Sequence, residues 1–287
     1  MVSRIRLRGE RARVAAFALA LLAGGVHEAA AQFTYDAPFV PSPQVVVDEM
    51  LRVAGVGPQD FVVDLGSGDG RILITAATKF GARGMGVELD PNLIIQSEEA
   101  ARQAGVSDRV KFVEQDLFKT DISAASVVTM YLLPGLNLRL RPRLLELAPG
   151  TRVVAHDFSL GEWRPDRQTT IRKNVFLWIV PAKVAGAWRM RLEVPLGARE
   201  IEVELRQRYQ EIDGIAREKG QLQQPLWEAK LAGERVSFVV VDSADRDFEA
   251  SFYFEGRAAG GVMEGEYRRG VGNSQTRGRW RAVRAGP

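Results

Sequence analysis

The chain has 287 residues, 46% hydrophobic and 26% charged, a composition that excludes a disordered or fibrous protein. Its formal net charge of +3 is matched by five arginines against two glutamates in residues 1–31, so the remainder is neutral and no nucleic-acid surface is expected. The absence of cysteine excludes disulfides, thiolate metal sites and cysteine nucleophiles, and with two histidines, His27 and His156, no histidine-rich metal centre is expected, which leaves only carboxylate sites open.

In chain order, Arg4 to Arg13 form a basic start, 14–26 a short apolar run, and Ala29, Ala30 and Ala31 a small-residue end. Together they predict a secretory signal peptide over 1–31. The apolar run is shorter than the roughly 20 residues that cross a bilayer. The mature chain is therefore expected in the periplasm or secreted, without a transmembrane span. A start codon assigned too early would leave it cytoplasmic.

Ser42 reads as a helix cap, with Pro43 in the first turn of a helix reaching Ala54. Strands are predicted at 61–65, 84–89, 110–114, 127–131 and 151–155, with helices at 71–79, 91–104 and 136–147 between them. A hairpin about Asn174 pairs 169–172 with 175–180. These elements predict an α/β domain over 32–182, with a Rossmann-like, seven-stranded, mainly parallel sheet covered on both faces. After Ala182 the spacing changes to period two, at 188–194, 200–205, 235–241, 248–254, 263–267 and 278–282. About eight short strands are expected, making 183–287 an all-β antiparallel barrel or sandwich.

The first strand runs into Asp64, Leu65, Gly66, Ser67, Gly68, Asp69 and Gly70, and a helix follows. Gly66 and Gly68 let the backbone turn sharply and approach a ligand where a β-carbon would collide. Free N–H groups at the helix start would suit an anionic group. A dinucleotide loop reads G-x-G-x-x-G. Here the third glycine comes one residue early and an acid stands two residues before the first. Both features favour a nucleoside with an amino-acid tail over a pyrophosphate. Glu88 closes the second strand, where a carboxylate can accept from both ribose hydroxyls. Asp116 follows the third, placed to accept from an adenine amino group, with Leu117 against the ring. Singly, a glycine loop is a tight turn and a strand-end acid a solvated cap. Their joint order on the carboxyl edge of one sheet points to a single adenosyl ligand.

Residues 62–72, 86–90 and 115–117 resemble the first three motifs of class I S-adenosylmethionine (SAM)-dependent methyltransferases. Phe39-Val-Pro-Ser-Pro43 ahead of the first helix narrows the resemblance. It points to the small mitochondrial-type protein lysine N-methyltransferases, which act on the adenine-nucleotide translocase and the c-ring protein of ATP synthase, and their bacterial relatives. The resemblance covers about 35–182. It implies SAM as cofactor, with Asp64, Gly66, Gly68 and Glu88 holding its methionine and ribose parts and Asp116 its adenine. Ser67, Gly70, Leu89 and Leu117 are counted with them.

Methyl transfer from a sulfonium needs alignment, and an amine acceptor must be neutral. The fourth strand ends in Thr129, Met130, Tyr131, Leu132, Leu133 and Pro134, where many amino methyltransferases carry Asn or Asp, Pro, Pro and an aromatic. This departure leaves the catalytic role open. Tyr131 either orients the amine and shields the sulfonium or is a core aromatic. His156 is either a base or a hydrogen-bonded structural group. Leu132, Leu133 and Pro134 would line an apolar slot, and Trp163 and Trp178 read as packing residues. In the β domain, Trp188, Phe238, Phe252, Phe254 and Tyr267 form either an ordinary core or a cup that binds substrate or partner. The leading expectation is an enzyme that methylates an amine, a lysine on a protein. The alternatives are an exported protein that binds SAM or a nucleoside without turnover, and a methyltransferase for a small metabolite or envelope lipid.

Overall fold

Unbroken apolar runs build the first sheet. In the computed structural model, which describes residues 39–195, 197–219, 222–241, 251–270 and 275–286, they become strands. These are β1 (Phe61–Leu65), β2 (Arg83–Glu88), β3 (Val110–Glu114), β4 (Val127–Met130) and β5 (Arg152–His156), all parallel. β6 (Arg167–Ile171) and β7 (Lys173–Ile179) complete the order β3-β2-β1-β4-β5-β7-β6, with β7 antiparallel to β5 and His156 opposite Val175. Alternate β1 residues enter opposite layers. Val62 packs with α1 (Gln44–Val53), α2 (Arg71–Phe80) and α3 (Pro91–Gln103). Val63 and Leu65 pack with α4 (Pro134–Leu144), Trp163 and Trp178. Burial on both faces leaves the strand tips as the place for polar chemistry.

Three local expectations are corrected. Ser42 does not cap α1; Pro43 takes that position without a side-chain bond, because the Ser42 hydroxyl is engaged with His156. α4 begins at Pro134, whose fixed φ suits a first helical turn, and ends at Leu144. The β6–β7 hairpin turns at Arg172, φ 61°, and Asn174 lies within β7 opposite Thr170.

The second sheet is a single antiparallel ribbon. Its strands are β8 (Gly186–Val194), β9 (Gly197–Arg208), β10 (Glu211–Glu218), β11 (Gln224–Pro225), β12 (Trp227–Ala232), β13 (Arg235–Val241), β14 (Ser251–Ala259), β15 (Val262–Arg269) and β16 (Thr276–Arg284). Their order is β11-β10-β9-β8-β16-β15-β14-β13-β12, and β12 returns beside β10. The sheet thus curls into a nearly closed barrel, not a two-layer sandwich. Trp188, Phe238, Phe252, Phe254, Tyr267 and Trp280 fill its interior, each at most 2% exposed, with Phe238 and Phe254 ring centres 5.0 Å apart. The ordinary-core reading of these aromatics holds, and the cup reading of them gives way. A cavity of about 1290 Å³ lies instead against charged side chains including Arg189, Arg191, Glu200, Glu202, Glu264 and Arg281.

Both sheets belong to the unit Ala37–Pro287. At their junction, Gln207 Nε2 donates to the Ala182 carbonyl (2.8 Å) and the Tyr209 carbonyl (2.7 Å). Its Oε1 accepts from the amides of Val184 (2.8 Å) and Ala185 (3.2 Å). The Tyr209 ring stacks on Trp163, 6.1 Å between centres. Among the described residues no helix is long and apolar enough to cross a membrane. The expected signal peptide, 1–31, lies outside the described residues.

Candidate functional site

β1 carries Asp64 to the sheet edge in a buried position. Only 1% of it is exposed; Oδ1 accepts from Thr129 Oγ1 (2.7 Å), its register partner on β4, while Oδ2 has no partner. Burial pushes the Asp64 carboxyl up to about 7; the Thr129 hydrogen bond opposes this, and the negative charges of Glu88 and Asp69 add to it.

The loop that follows turns through left-handed backbone at Gly66, Gly68 and Gly70, φ 77°, 53° and 78°. A β-carbon on Gly70 would stand 2.6 Å from the Phe112 ring and 2.8 Å from Ser97, so glycine is required there on two grounds. The amides of Gly66 and Ser67 donate to the Val87 carbonyl at 2.9 and 3.0 Å, and Gly68 N–H donates to Glu88 Oε2 at 2.9 Å. These three amides, which precede the helix, are therefore already engaged within the protein. Asp69 meets the α2 N-terminus itself, accepting from Arg71 N–H at 3.3 Å. Asp69 is already paired with Arg71, so the acids that leave the bend suited to a cation are Asp64 and Glu88.

Glu88 Oε1 also accepts from the amides of Leu89 (2.8 Å) and Asp90 (3.1 Å), while the Leu89 side chain is exposed. Ser67 Oγ is buried without a partner, in space that Gly86 leaves; a β-carbon at Gly86 would lie 2.7 Å from it. Asp116 and Leu117 stand past the tip of β3, beside β2 through the Gln115 N–H donated to the Glu88 carbonyl at 3.0 Å. Asp116 Oδ1 accepts from Phe118 N–H at 2.8 Å, and Leu117 packs partly into the core. Direct bonds therefore join Gly68 to Glu88, and Asp64 lies in the same field of charge. Asp116 is placed nearby by strand pairing. The two unpartnered oxygens and the ring of acids fit the methionyl end of SAM, whose amino group and sulfonium are cationic.

On the other side of β1, β5 ends at His156, and Tyr131 lies just past β4; their ring centres are 3.9 Å apart, and Phe158 stacks on Tyr131 at 6.3 Å. His156 is 1% exposed, with Nδ1 bonded to Ser42 Oγ at 2.8 Å and Nε2 unpartnered. Burial lowers its pKa, which keeps the imidazole neutral. The Ser42 carbonyl accepts from Arg71 (2.9 Å), and the Arg71 guanidinium grips Asp69. One polar path thus runs from the glycine bend through Arg71 and Ser42 to the His156–Tyr131 pair. Sequence reasoning missed Arg71, Thr129 and the bond made by Ser42; for Ser42, the Phe39–Pro43 motif was the one signal. Leu132 is core-buried against the glycine bend, where a β-carbon on Gly66 would meet it at 2.8 Å. Trp163 and Trp178 are fully buried and packed together, as expected, with Trp178 Nε1 donating to the Trp163 carbonyl at 2.7 Å.

A family model described as the ANTKMT methyltransferase domain matches residues 64–167. A protein-lysine N-methyltransferase of Saccharolobus islandicus (strain REY15A) is 46% identical over 150 residues, covering 50% of this chain and 93% of that protein. This chain belongs to the same methyltransferase family. A Mus musculus lysine N-methyltransferase named for the c-ring protein of ATP synthase is 40% identical over 135 residues, 46% of this chain and 53% of that one. The chain thus spans nearly all of the archaeal relative but about half of the mouse one. A solved structure described as an RNA methyltransferase from Salinibacter ruber, in complex with S-adenosyl-L-homocysteine, shares 52% identity at a TM-score of 0.50. It covers 50% of this chain and 96% of its own. As a member of the family, the chain is a SAM-dependent methyltransferase.

Proposed function

We propose that the acceptor is the ε-amino group of a lysine on a protein. The observation that carries this reading is the meeting, at the tips of β1, β4 and β5, of the glycine bend and its acids with a neutral, buried His156 packed at a tilt against Tyr131. The names of the archaeal and mouse relatives support it.

SAM supplies an already activated methyl group, so the chain's own task is binding, alignment and a neutral nucleophile. Asp64 and Ser67 would hold the methionyl end of SAM, and Glu88 its ribose. Gly66, Gly68 and Gly70 shape the bend, and Asp116, with Leu89 and Leu117, stands on the adenine side. The Tyr131 ring borders the acceptor and favours a cation above its face. His156, held by Ser42, packs against the Tyr131 ring and, being neutral, adds no cation that would repel an incoming ammonium. An acceptor lysine must shed its proton before its nitrogen can attack.

The relative described as an RNA methyltransferase raises a second reading. Glu88 and Asp90 stand at the sheet edge, and their charge opposes a polyanionic acceptor, while Asp69, Asp116 and Asp157 are paired with Arg71, Lys119 and Lys173. We further propose that 1–31 directs export to the periplasm and that 32–182 and 183–287 are the two domains.

The test is radiolabelled methyl transfer from SAM to lysine-bearing proteins of a whole-cell extract, run beside total RNA. Label in trimethyl-, dimethyl- or monomethyl-lysine is expected. Label confined to RNA, or SAM binding with no transfer to any fraction, would reject the lysine reading. Mass spectrometry of the N-terminus tests export; an intact Met1 in the secreted fraction counts against cleavage.

A further inference from the structure

Beyond His156 the chain turns abruptly. Asp157 has φ 64°, a left-handed conformation uncommon outside glycine, and its amide donates to the Asn174 carbonyl at 2.8 Å. The turn leaves the Asp157 carboxylate past the end of β5, one residue from the His156–Tyr131 stack. Its side chain is only 15% exposed. A carboxylate this enclosed is costly without a counter-charge. The counter-charge is Lys173, whose Nζ lies 3.0 Å from Asp157 Oδ2. β7 runs antiparallel to β5, so Lys173, two residues before the His156–Val175 pair, arrives at the same edge. The lysine is 56% exposed, so the fixed partner is the acid and the exchangeable one is the ammonium. The hydrogen bond to Asp157 raises the pKa of Lys173, and Tyr131 stands close enough to add to that.

We propose that Asp157 is the subsite that captures the ammonium of the acceptor lysine, and that Lys173 occupies it as an internal stand-in until the acceptor displaces it. The inference rests on the lysine reading above. It follows from the order of the strands: the glycine bend and Glu88 lie at the tips of β1 and β2, so an acceptor must approach over β4, β5 and the start of β7. Replacement of one ammonium by another leaves the charge of the enclosed carboxylate balanced throughout. Capture precedes chemistry. The acceptor then moves toward Tyr131, loses its proton to water and becomes the nucleophile. Asp157 is thus a binding residue that acts through KM.

The two partners of a purely structural ion pair would fail in the same direction; a subsite and its stand-in fail in opposite directions. The experiment measures steady-state kinetics of the full chain at saturating SAM, with a short peptide bearing one central lysine as the probe. SAM affinity and thermal unfolding are recorded for each variant. Asp157→Asn is expected to raise the peptide KM at least tenfold with little change in kcat. Lys173→Met is expected to lower KM about threefold. SAM affinity should stay within twofold in both. KM values that move in the same direction, or that do not move, overturn the subsite while wild-type activity leaves the lysine reading intact. A wild-type enzyme inactive on every lysine-bearing substrate removes both. If Asp157→Asn unfolds, Lys173→Met decides alone, and an unchanged or higher KM rejects the proposal.

Discussion

The two halves of the molecule treat buried polar atoms differently. Among the described residues, the buried side-chain atoms that lack a hydrogen-bond partner are Asp64 Oδ2, Ser67 Oγ, Asn137 Oδ1, His156 Nε2, Trp163 Nε1 and Thr169 Oγ1, and all lie in the α/β half. In the barrel, Trp188 Nε1 donates to the Val184 carbonyl, Trp280 Nε1 to the carbonyls of Glu255 and Glu266, and the Tyr267 hydroxyl to the Glu193 carbonyl. An unsatisfied buried polar group costs about 1–3 kcal/mol. Such a cost persists where a ligand later supplies the partner, and Asp64, Ser67 and His156 lie at the tips of β1 and β5, with β4 between them. The barrel interior satisfies its indole and phenol donors, whereas the α/β half leaves some of its buried polar atoms open.

Substitution in each half should break one property and spare the other. Phe238→Ala, which empties a fully buried ring site in the barrel, should cost about 3–5 kcal/mol in denaturant unfolding while SAM affinity changes less than twofold. Glu88→Ala removes the acceptor for three backbone amides at the glycine bend. It should weaken SAM binding at least 100-fold by calorimetry, about 2.7 kcal/mol, with little loss of barrel stability. If Phe238→Ala weakened SAM binding as severely as Glu88→Ala, the division of labour would be wrong.

The same contrast governs what the sequence discloses. The parallel sheet was legible because its strands are short apolar runs between helices with glycine or proline punctuation, as at Gly81 and Pro91. The barrel was legible only where alternation is strong. β13, with Val236, Phe238 and Val240 inward, matches its expected limits. β10 and β12 were missed: Gly214 interrupts the inward row of β10, and in β12 only Leu231 is buried. The glycine bend at the tip of β1 was legible from spacing, because its three glycines follow a short apolar strand and precede a helix. The link from Ser42 to His156 crosses 114 positions, and nothing local announces it. A serine before a proline-led helix reads as a cap until tertiary packing claims its hydroxyl.

A change of pH tests the α/β edge alone. Without cofactor the Asp64 carboxyl is held up near 7, well above its ordinary 3.8. It must ionise to meet a cationic ligand. SAM affinity should therefore rise about tenfold per pH unit up to neutrality, about 1.4 kcal/mol each, and level off above. Stability of the free protein runs the other way. The unfolded carboxyl ionises near 3.8 while the folded one keeps its proton to about 7. Stability from this group is thus full below 3.8, falls through that window and is lost above it. Asp64→Asn should flatten both slopes, and a slope that survives in this variant would assign it to another group.

The junction between the halves carries the smallest effects, graded by burial. Gln207→Ala deletes four hydrogen bonds that hold 182–185 and the carbonyl of Tyr209. These backbone groups regain water only in part, so the loss should be about 1 kcal/mol in denaturant unfolding. Arg208 also bridges the halves, pairing with Glu162 at 2.8 Å, but the two side chains are 65% and 69% exposed. Such a pair competes with water and salt at both ends, and Arg208→Ala should cost less than about 0.5 kcal/mol, falling further in high salt. A larger cost from Arg208 than from Gln207 would mean that charge rather than the buried amide fastens the barrel to the catalytic half.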